Sequence, residues 1–302
     1  MSNHSRLYVI ALIGATLLTA LLLVTNQDAP TKNFELEETK SVKSNPITLQ
    51  RELFAEAAYV LDLHQNAVLY EKNAEAQLPL ASLTKLMTSL IAKELLSEDQ
   101  AIALTASILS TEGESGFMLG DSYNAETLIE YALIESSNDA AEALASAAGA
   151  FLNTEAPQEQ FVRLMNEKAD TLSLNQTYFL NPTGLDQNAH VAGAYGSARD
   201  VASLLVTFES QYPDTAYESG KAVGFFAPSR VATNTNPITA QFPGVIASKT
   251  GFTDLAGGNL AMMVNFGLNH PVVLVLLGSG YDERFTDMET LLFAVSSHFE
   301  NL

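Results

Sequence analysis

Residues 244–277 read GVIASKTGFTDLAGGNLAMMVNFGLNHPVVLVLL. Three runs in this stretch carry strand character: Gly244–Ser248, Asn259–Phe266 and Val272–Leu277. Asn269-His270-Pro271 supplies the turn into the last of them. Nearer the N-terminus, Ala57–Leu63 is rich in strand formers and Ala67–Tyr70 repeats the pattern, with His64-Gln65-Asn66 as a hairpin turn. Between these ends the pattern is helical. Leu83, Leu86, Met87, Leu90, Ile91 and Leu95 lie on one helix face. The middle, about 98–210, is mostly helical, most clearly over Leu128–Ala148 and Phe161–Leu172. Loops interrupt it at Glu112–Gly116, Asn181–Gly184 and Asn188–Gly196. Arg284–Phe299 closes the chain as a helix with Met288, Leu291, Leu292, Val295 and Phe299 on one side and Asp282 as N-cap. The expected fold is α+β: an antiparallel sheet built from both chain ends, flanked by helices, with an inserted helical subdomain.

Composition narrows the chemistry. The 302 residues include 15 Lys or Arg and 35 Asp or Glu, a formal charge of −20, and 47% are hydrophobic. Such a chain can bury a sizeable core. The absence of Cys excludes disulfides, a thiol nucleophile and thiolate metal sites. The acidic balance argues against nucleic acid as partner, because phosphate binding needs clustered Lys and Arg.

Leu7–Val24 is an uncharged run of 18 residues, with Arg6 before it. It has two readings. An uncleaved membrane anchor fits its length. A cleaved signal peptide needs a shorter apolar core and a small-x-small site, and Thr25-Asn26-Gln27-Asp28-Ala29-Pro30 offers no convincing one. The anchor is favoured, and either reading exports the remainder. The expected layout is therefore 1–24 as anchor or signal segment, 25–50 as polar linker and 51–302 as the functional domain.

Three short motifs carry chemistry. Ser82 and Lys85 stand three apart at the start of the amphipathic helix, on one face. A lysine can take a serine proton only if burial or a second cation lowers its pKa. Alone, this is an ordinary surface pair. Ser136-Ser137-Asn138 can relay a proton and hold a carbonyl at a helix break; alone, it is more simply an N-cap. Lys249-Thr250-Gly251, at the end of an expected strand, can clamp a carboxylate through charge and hydroxyl. There Gly251 lets a substrate backbone approach, and Lys249 is the natural second cation to depress Lys85. The five His are scattered, and a His-based triad is not indicated by their positions.

Taken together, in this order and spacing, the three motifs resemble those of the low-molecular-mass penicillin-binding proteins of the D-alanyl-D-alanine carboxypeptidase family. Leu69–Ala74, Pro79–Thr88, Asn181-Pro182-Thr183-Gly184-Leu185, Ser197-Ala198-Arg199-Asp200 and Ala256-Gly257-Gly258 extend the likeness over about residues 52–299. The resemblance implies a serine acyl-transfer hydrolase of the bacterial cell envelope with a β-lactamase/transpeptidase-like fold. It acts on peptidoglycan stem peptides, is inhibited by β-lactams, and needs no metal or organic cofactor. Ser82 is then the nucleophile, Lys85 the general base and Ser136 the proton relay. Asn138, Lys249, Thr250, Gly251 and Phe252 bind substrate, with the Ser82 and Phe252 N–H groups as oxyanion hole. The chain departs from the family pattern at His64-Gln65-Asn66, Ala247-Ser248 and Pro237-Ile238, which bears on substrate preference. A D,D-endopeptidase uses the same residues. A class A β-lactamase is disfavoured by the missing Glu-x-x-Leu-Asn pattern, and a non-catalytic peptidoglycan-binding module by the complete set of motifs.

Overall fold

The computed structural model describes residues 46–300 except 114, 153–154 and 227–229. The chain divides into two units, Met1–Glu35 and Leu36–Leu302. The first unit, the apolar run 7–24 and most of the expected linker 25–50 lie outside the described residues. Among those described, no helix is long and apolar enough to cross a membrane.

Five strands form the main sheet: β1 (Ala57–Asp62), β2 (Ala67–Lys72), β10 (Val245–Thr253), β11 (Gly257–Asn265) and β12 (Pro271–Ser279). Their order is β10-β11-β12-β1-β2, and every pairing is antiparallel. The two chain ends meet where β1 pairs with β12, Tyr59 opposite Val275. The apolar run in β12 has a simple cause. Val273, Val275 and Leu277 point into the larger core, while Val272, Leu274 and Leu276 point into a second core on the other face. A strand buried on both faces has no polar positions to alternate with.

The second core is closed by α7 (Glu283–Glu300), which contributes Met288, Leu291, Leu292 and Val295 as its spacing predicts. Asp287 on this helix is fully buried and wholly partnered. Its carboxylate accepts from Arg51 Nη2 (2.9 Å), the Phe54 and Ala55 N–H groups (3.1 and 2.8 Å) and Ser279 Oγ (2.9 Å). It ties the segment entering β1 to the helix that ends the fold.

The larger core packs the other sheet face against α1 (Lys85–Leu95), α2 (Ala125–Ile134), α3 (Asn138–Ala150), α4 (Pro157–Thr171), α5 (Ala198–Gln211) and α6 (Pro213–Ser219). One sequence expectation changes here. Leu128–Ala148 is not one helix: it breaks at 135–137, where Ser136 takes φ +60° and Ser137 caps α3 by accepting from Ala140 N (3.1 Å). The middle is mostly helical, as its pattern implies. Short pairs interrupt it: β4 (Ala101–Ala103) with β5 (Ser122–Asn124), and β3 (Leu78–Pro79) and β6 (Tyr178–Phe179) on either side of β7 (Ala194–Gly196). A hairpin of β8 (Val223–Phe226) and β9 (Arg230–Thr233) leads back to the sheet.

Candidate active site

Lys85 and Ser82 meet at the mouth of α1. A 3-10 turn, Ala81–Thr84, runs directly into that helix. Ala81 sits at φ +48°, a left-handed conformation that costs a non-glycine residue of order 1 kcal/mol. Its surroundings hold it there. A Cβ on Gly184 would lie 1.9 Å from the Ala81 carbonyl oxygen, and one on Gly251 would lie 3.0 Å from Leu80 O and 3.2 Å from Ser82 N. The turn is gripped between two backbones that approach only because both are glycine. Gly251 therefore makes room for the serine turn.

Lys85 is completely buried. Its Nζ lies 2.8 Å from Ser82 Oγ, 2.7 Å from Asn138 Oδ1 and 2.9 Å from the Thr183 carbonyl oxygen. The last two are acceptors only. A neutral amine has two N–H bonds and one lone pair. Spending both N–H bonds on Asn138 and Thr183 leaves the lone pair facing the Ser82 hydroxyl. Burial lowers the Lys85 pKa from 10.5 to about 7, against the opposing pull of Glu142. The deprotonated amine is thus well populated near neutrality. The Thr183 carbonyl is aimed by its own loop: Asn181 Oδ1 accepts from Thr183 N, Thr183 Oγ1 and Gly184 N.

The second motif occupies the corner between α2 and α3. Asn138 faces both ways, accepting from Lys85 and donating to the Glu112 carbonyl (2.7 Å). Ser137 Oγ lies 2.6 Å from Ser115 Oγ, which fastens the 112–120 loop over the corner. A cavity of about 120 Å³ opens here, lined by Gly113, Ser115, Glu135, Ser136, Ser137 and Asn138.

The third motif lies inside β10, which continues to Thr253 instead of ending before Lys249. Lys249 is 1% exposed and donates to Ser136 Oγ (2.7 Å) and to the Thr250 carbonyl (2.9 Å). The second and third motifs are thereby joined through Ser136, 113 residues from Lys249 in sequence, as Asn138 joins the first and second. Burial lowers the Lys249 pKa well below its ordinary value, helped by Lys85 and then Arg284. Burial is the largest cause of the depressed Lys85 pKa, and burial together with repulsion between the two amines lowers that of Lys249. Thr250 Oγ1 pairs with Thr235 Oγ1 at 2.6 Å, and the Phe252 ring is 42% exposed, edge-on to Tyr281 at 4.8 Å.

All eight site residues named from the sequence thus fall in or beside one cluster. The sequence reading missed Thr183, Thr235 and Arg284. Arg284 is buried, donates to the Gly251 carbonyl (2.9 Å) and lies over the Tyr281 ring at 4.6 Å. Its position as the second residue of α7 carries no local signal; only the folded sheet brings it to β10. Asn236, with Ser248 Oγ 2.9 Å from its Nδ2, accounts for the polar residue before Lys249. His270 bonds Asp62 (2.9 Å), while the Ser82 hydroxyl meets Lys85. Among the described residues no three His, Cys, Asp or Glu side chains gather as a metal site.

Comparison with known proteins agrees with this geometry. A family model described as D-alanyl-D-alanine carboxypeptidase matches residues 40–280. The chain is 30% identical over 258 residues to D-alanyl-D-alanine carboxypeptidase DacF of Bacillus subtilis, covering 82% of this chain and 63% of that protein. It is 32% identical over 255 residues to a D-alanyl-D-alanine endopeptidase of Pseudomonas aeruginosa, covering 81% and 78%. The ampicillin-bound crystal structure of penicillin-binding protein D2 from Listeria monocytogenes superposes with a TM-score of 0.71 at 28% identity, over 82% of this chain and 99% of that one.

Proposed function

The chain belongs to the D-alanyl-D-alanine carboxypeptidase family, and on that premise we propose that it removes the terminal D-alanine from peptidoglycan stem peptides through an acyl-enzyme on Ser82. The observation that carries the reading is the Lys85–Ser82 contact of 2.8 Å in a buried setting, with Lys249 and Ser136 closing the other side. Lys85 takes the Ser82 proton as Oγ attacks the carbonyl carbon of the penultimate residue. The N–H groups of Ser82 and Phe252 receive the developing oxyanion, where one lost donor typically costs about 10²–10³ in rate. Ser136, hydrogen-bonded to Lys249, relays the proton taken up by Lys85 to the leaving amine as the C–N bond breaks, which leaves Lys85 neutral again and Ser136 protonated. Asn138 orients Lys85 and the substrate amide. Lys249 and Thr250 hold the terminal carboxylate, whose charge favours the protonated form of Lys249 that burial disfavours. Water then hydrolyses the ester with Lys85 again as base.

The similarity to a D-alanyl-D-alanine endopeptidase supports a second reading, hydrolysis of cross-links by the same residues. A fluorescent penicillin and two substrates separate the cases. The wild type forms a stable adduct that Ser82→Ala abolishes. A pentapeptide that loses one D-alanine identifies a carboxypeptidase, and a cross-linked dimer that splits identifies an endopeptidase. An unlabelled wild-type protein sinks both, and rapid release of the label points to a β-lactamase. The family's role in the cell wall puts the enzyme in the envelope. The uncharged run 7–24 supports its being held at the membrane, which fractionation of cells expressing the full chain and a chain lacking residues 1–24 tests.

A further inference from the structure

Asn138 and Glu142 are four residues apart on α3 and so lie one above the other on the same face. That face is the one turned to Lys85, since Asn138 Oδ1 accepts from Lys85 Nζ at 2.7 Å. Glu142 is half-buried and is held from α4, where Gln158 Nε2 donates to its Oε2 (2.7 Å). We propose that Glu142 is a positioning residue for the reaction, supplying the counter-charge for the ammonium that forms when Lys85 takes the Ser82 proton. The inference rests on Lys85 being the base.

Chemistry at Ser82 moves one proton from a neutral hydroxyl to a neutral amine and so creates a buried cation. The two acceptors on that amine, Asn138 and Thr183, are dipoles without net charge. The other formal charges facing the pair are of the wrong kind or differently placed. Lys249, from β10, is a potential cation, with Arg284 behind it, and both oppose a second positive charge. Asp139, next to Asn138 on α3, is buried, and burial pushes its carboxyl upward. Glu142 is the carboxylate whose charge acts on Lys85; burial raises its own pKa as it does that of Asp139, and the Gln158 hydrogen bond and Lys85 both oppose that rise. Two such groups titrate as a pair.

Removing that charge has two effects of opposite sense. Lys85 loses its proton more readily, so the acid limb of the pH profile moves down. As a weaker base it drives the step less, so the plateau falls. The test is the rate of Ser82 acylation by a penicillin between pH 5 and 9 in the wild type, Glu142→Gln and Glu142→Asp. Glutamine keeps an oxygen for Gln158 to donate to. The expected result for E142Q is an acid limb lower by roughly one unit and a plateau lower by a few-fold, with E142D restored towards wild type. A lowered plateau with an unmoved limb means that Glu142 only braces α3 against α4, and overturns the proposal. So does an E142Q profile identical to wild type. A wild type that is not acylated at all overturns the assignment of Lys85 itself.

Discussion

Gly251→Ala tests how tightly the serine turn is held. The added methyl would sit 3.0 Å from Leu80 O, 3.2 Å from Ala81 Cβ and 3.2 Å from Ser82 N, where ordinary contact begins at 3.4 Å. Three neighbours must therefore give by 0.2–0.4 Å (3.4 − 3.2 and 3.4 − 3.0). They cannot retreat, because Gly184 presses on Ala81 O from another direction and Ala81 is already at φ +48°. The alternative is for β10 to lift, which moves Lys249 and Thr250 away from Ser136 and Ser82. Overpacking of this kind costs about 1–3 kcal/mol of stability. A displacement of a few tenths of an ångström in the reacting geometry costs roughly three- to sixfold in rate, scaling from about 10² for 1 Å. Stopped-flow acylation by a chromogenic cephalosporin reads the rate, and thermal melting reads the fold. The expected outcome is a folded protein with a melting temperature a few degrees lower and acylation slowed about three- to sixfold. Wild-type acylation by G251A would show that the turn is not clamped by β10, and the reasoning from backbone approach would fail.

Other outcomes follow from the same coordinates. Lys249→Ala removes the charge expected to meet the substrate carboxylate, so kcat/KM for a free-acid peptide falls about 10–100-fold. A C-terminally amidated peptide should lose far less; equal losses would place the carboxylate elsewhere. Asp287→Ala strands the Phe54 and Ala55 N–H groups and Ser279 Oγ. Stability should drop by about 2–4 kcal/mol in denaturant titration, with the acylation rate of the folded fraction unchanged. Lys85→Met probes the buried amine. The unfolded chain keeps a proton up to about pH 10.5 that the folded chain has already lost above about 7, so wild-type stability rises with pH across that window. Relative to K85M, the wild type should gain up to a few kcal/mol between pH 7 and 10, and a constant difference would contradict a depressed Lys85. Ser137→Gly cuts the link to Ser115 and the cap on α3, and should cost a few tenths to 1 kcal/mol while quickening proteolysis in the 112–120 loop.

Elements with strong apolar signals were readable in advance. β12 and β1 are buried on both faces, so their runs stand out, and the spacing along α1 and α7 matches their buried residues. The corner at 135–137 was legible only as an N-cap signal in Ser136-Ser137-Asn138, because the apolar pattern runs on from α2 to α3 and no Gly or Pro marks the break; Ser136 takes the left-handed conformation itself. β3, β6 and β7 are two or three residues long, too short for any period to show. Within the site, Ser82 and Lys85 are close because of helix geometry, which local spacing reveals. Lys249 against Ser136, Thr183 against Lys85 and Arg284 against Gly251 depend on long-range closure, and only the family resemblance pointed to the first.

The strand order has a consequence for biogenesis. β12 sits between β11 and β1, and it is the last strand to be synthesised. From the moment β1 emerges, one of its edges stays bare for some two hundred residues of translation, a template for mispairing that only the final hairpin can seal. A nascent chain therefore carries Ser82 and Lys85 long before Lys249 and Thr250 have been made, and the three motifs can meet only when the sheet zips shut.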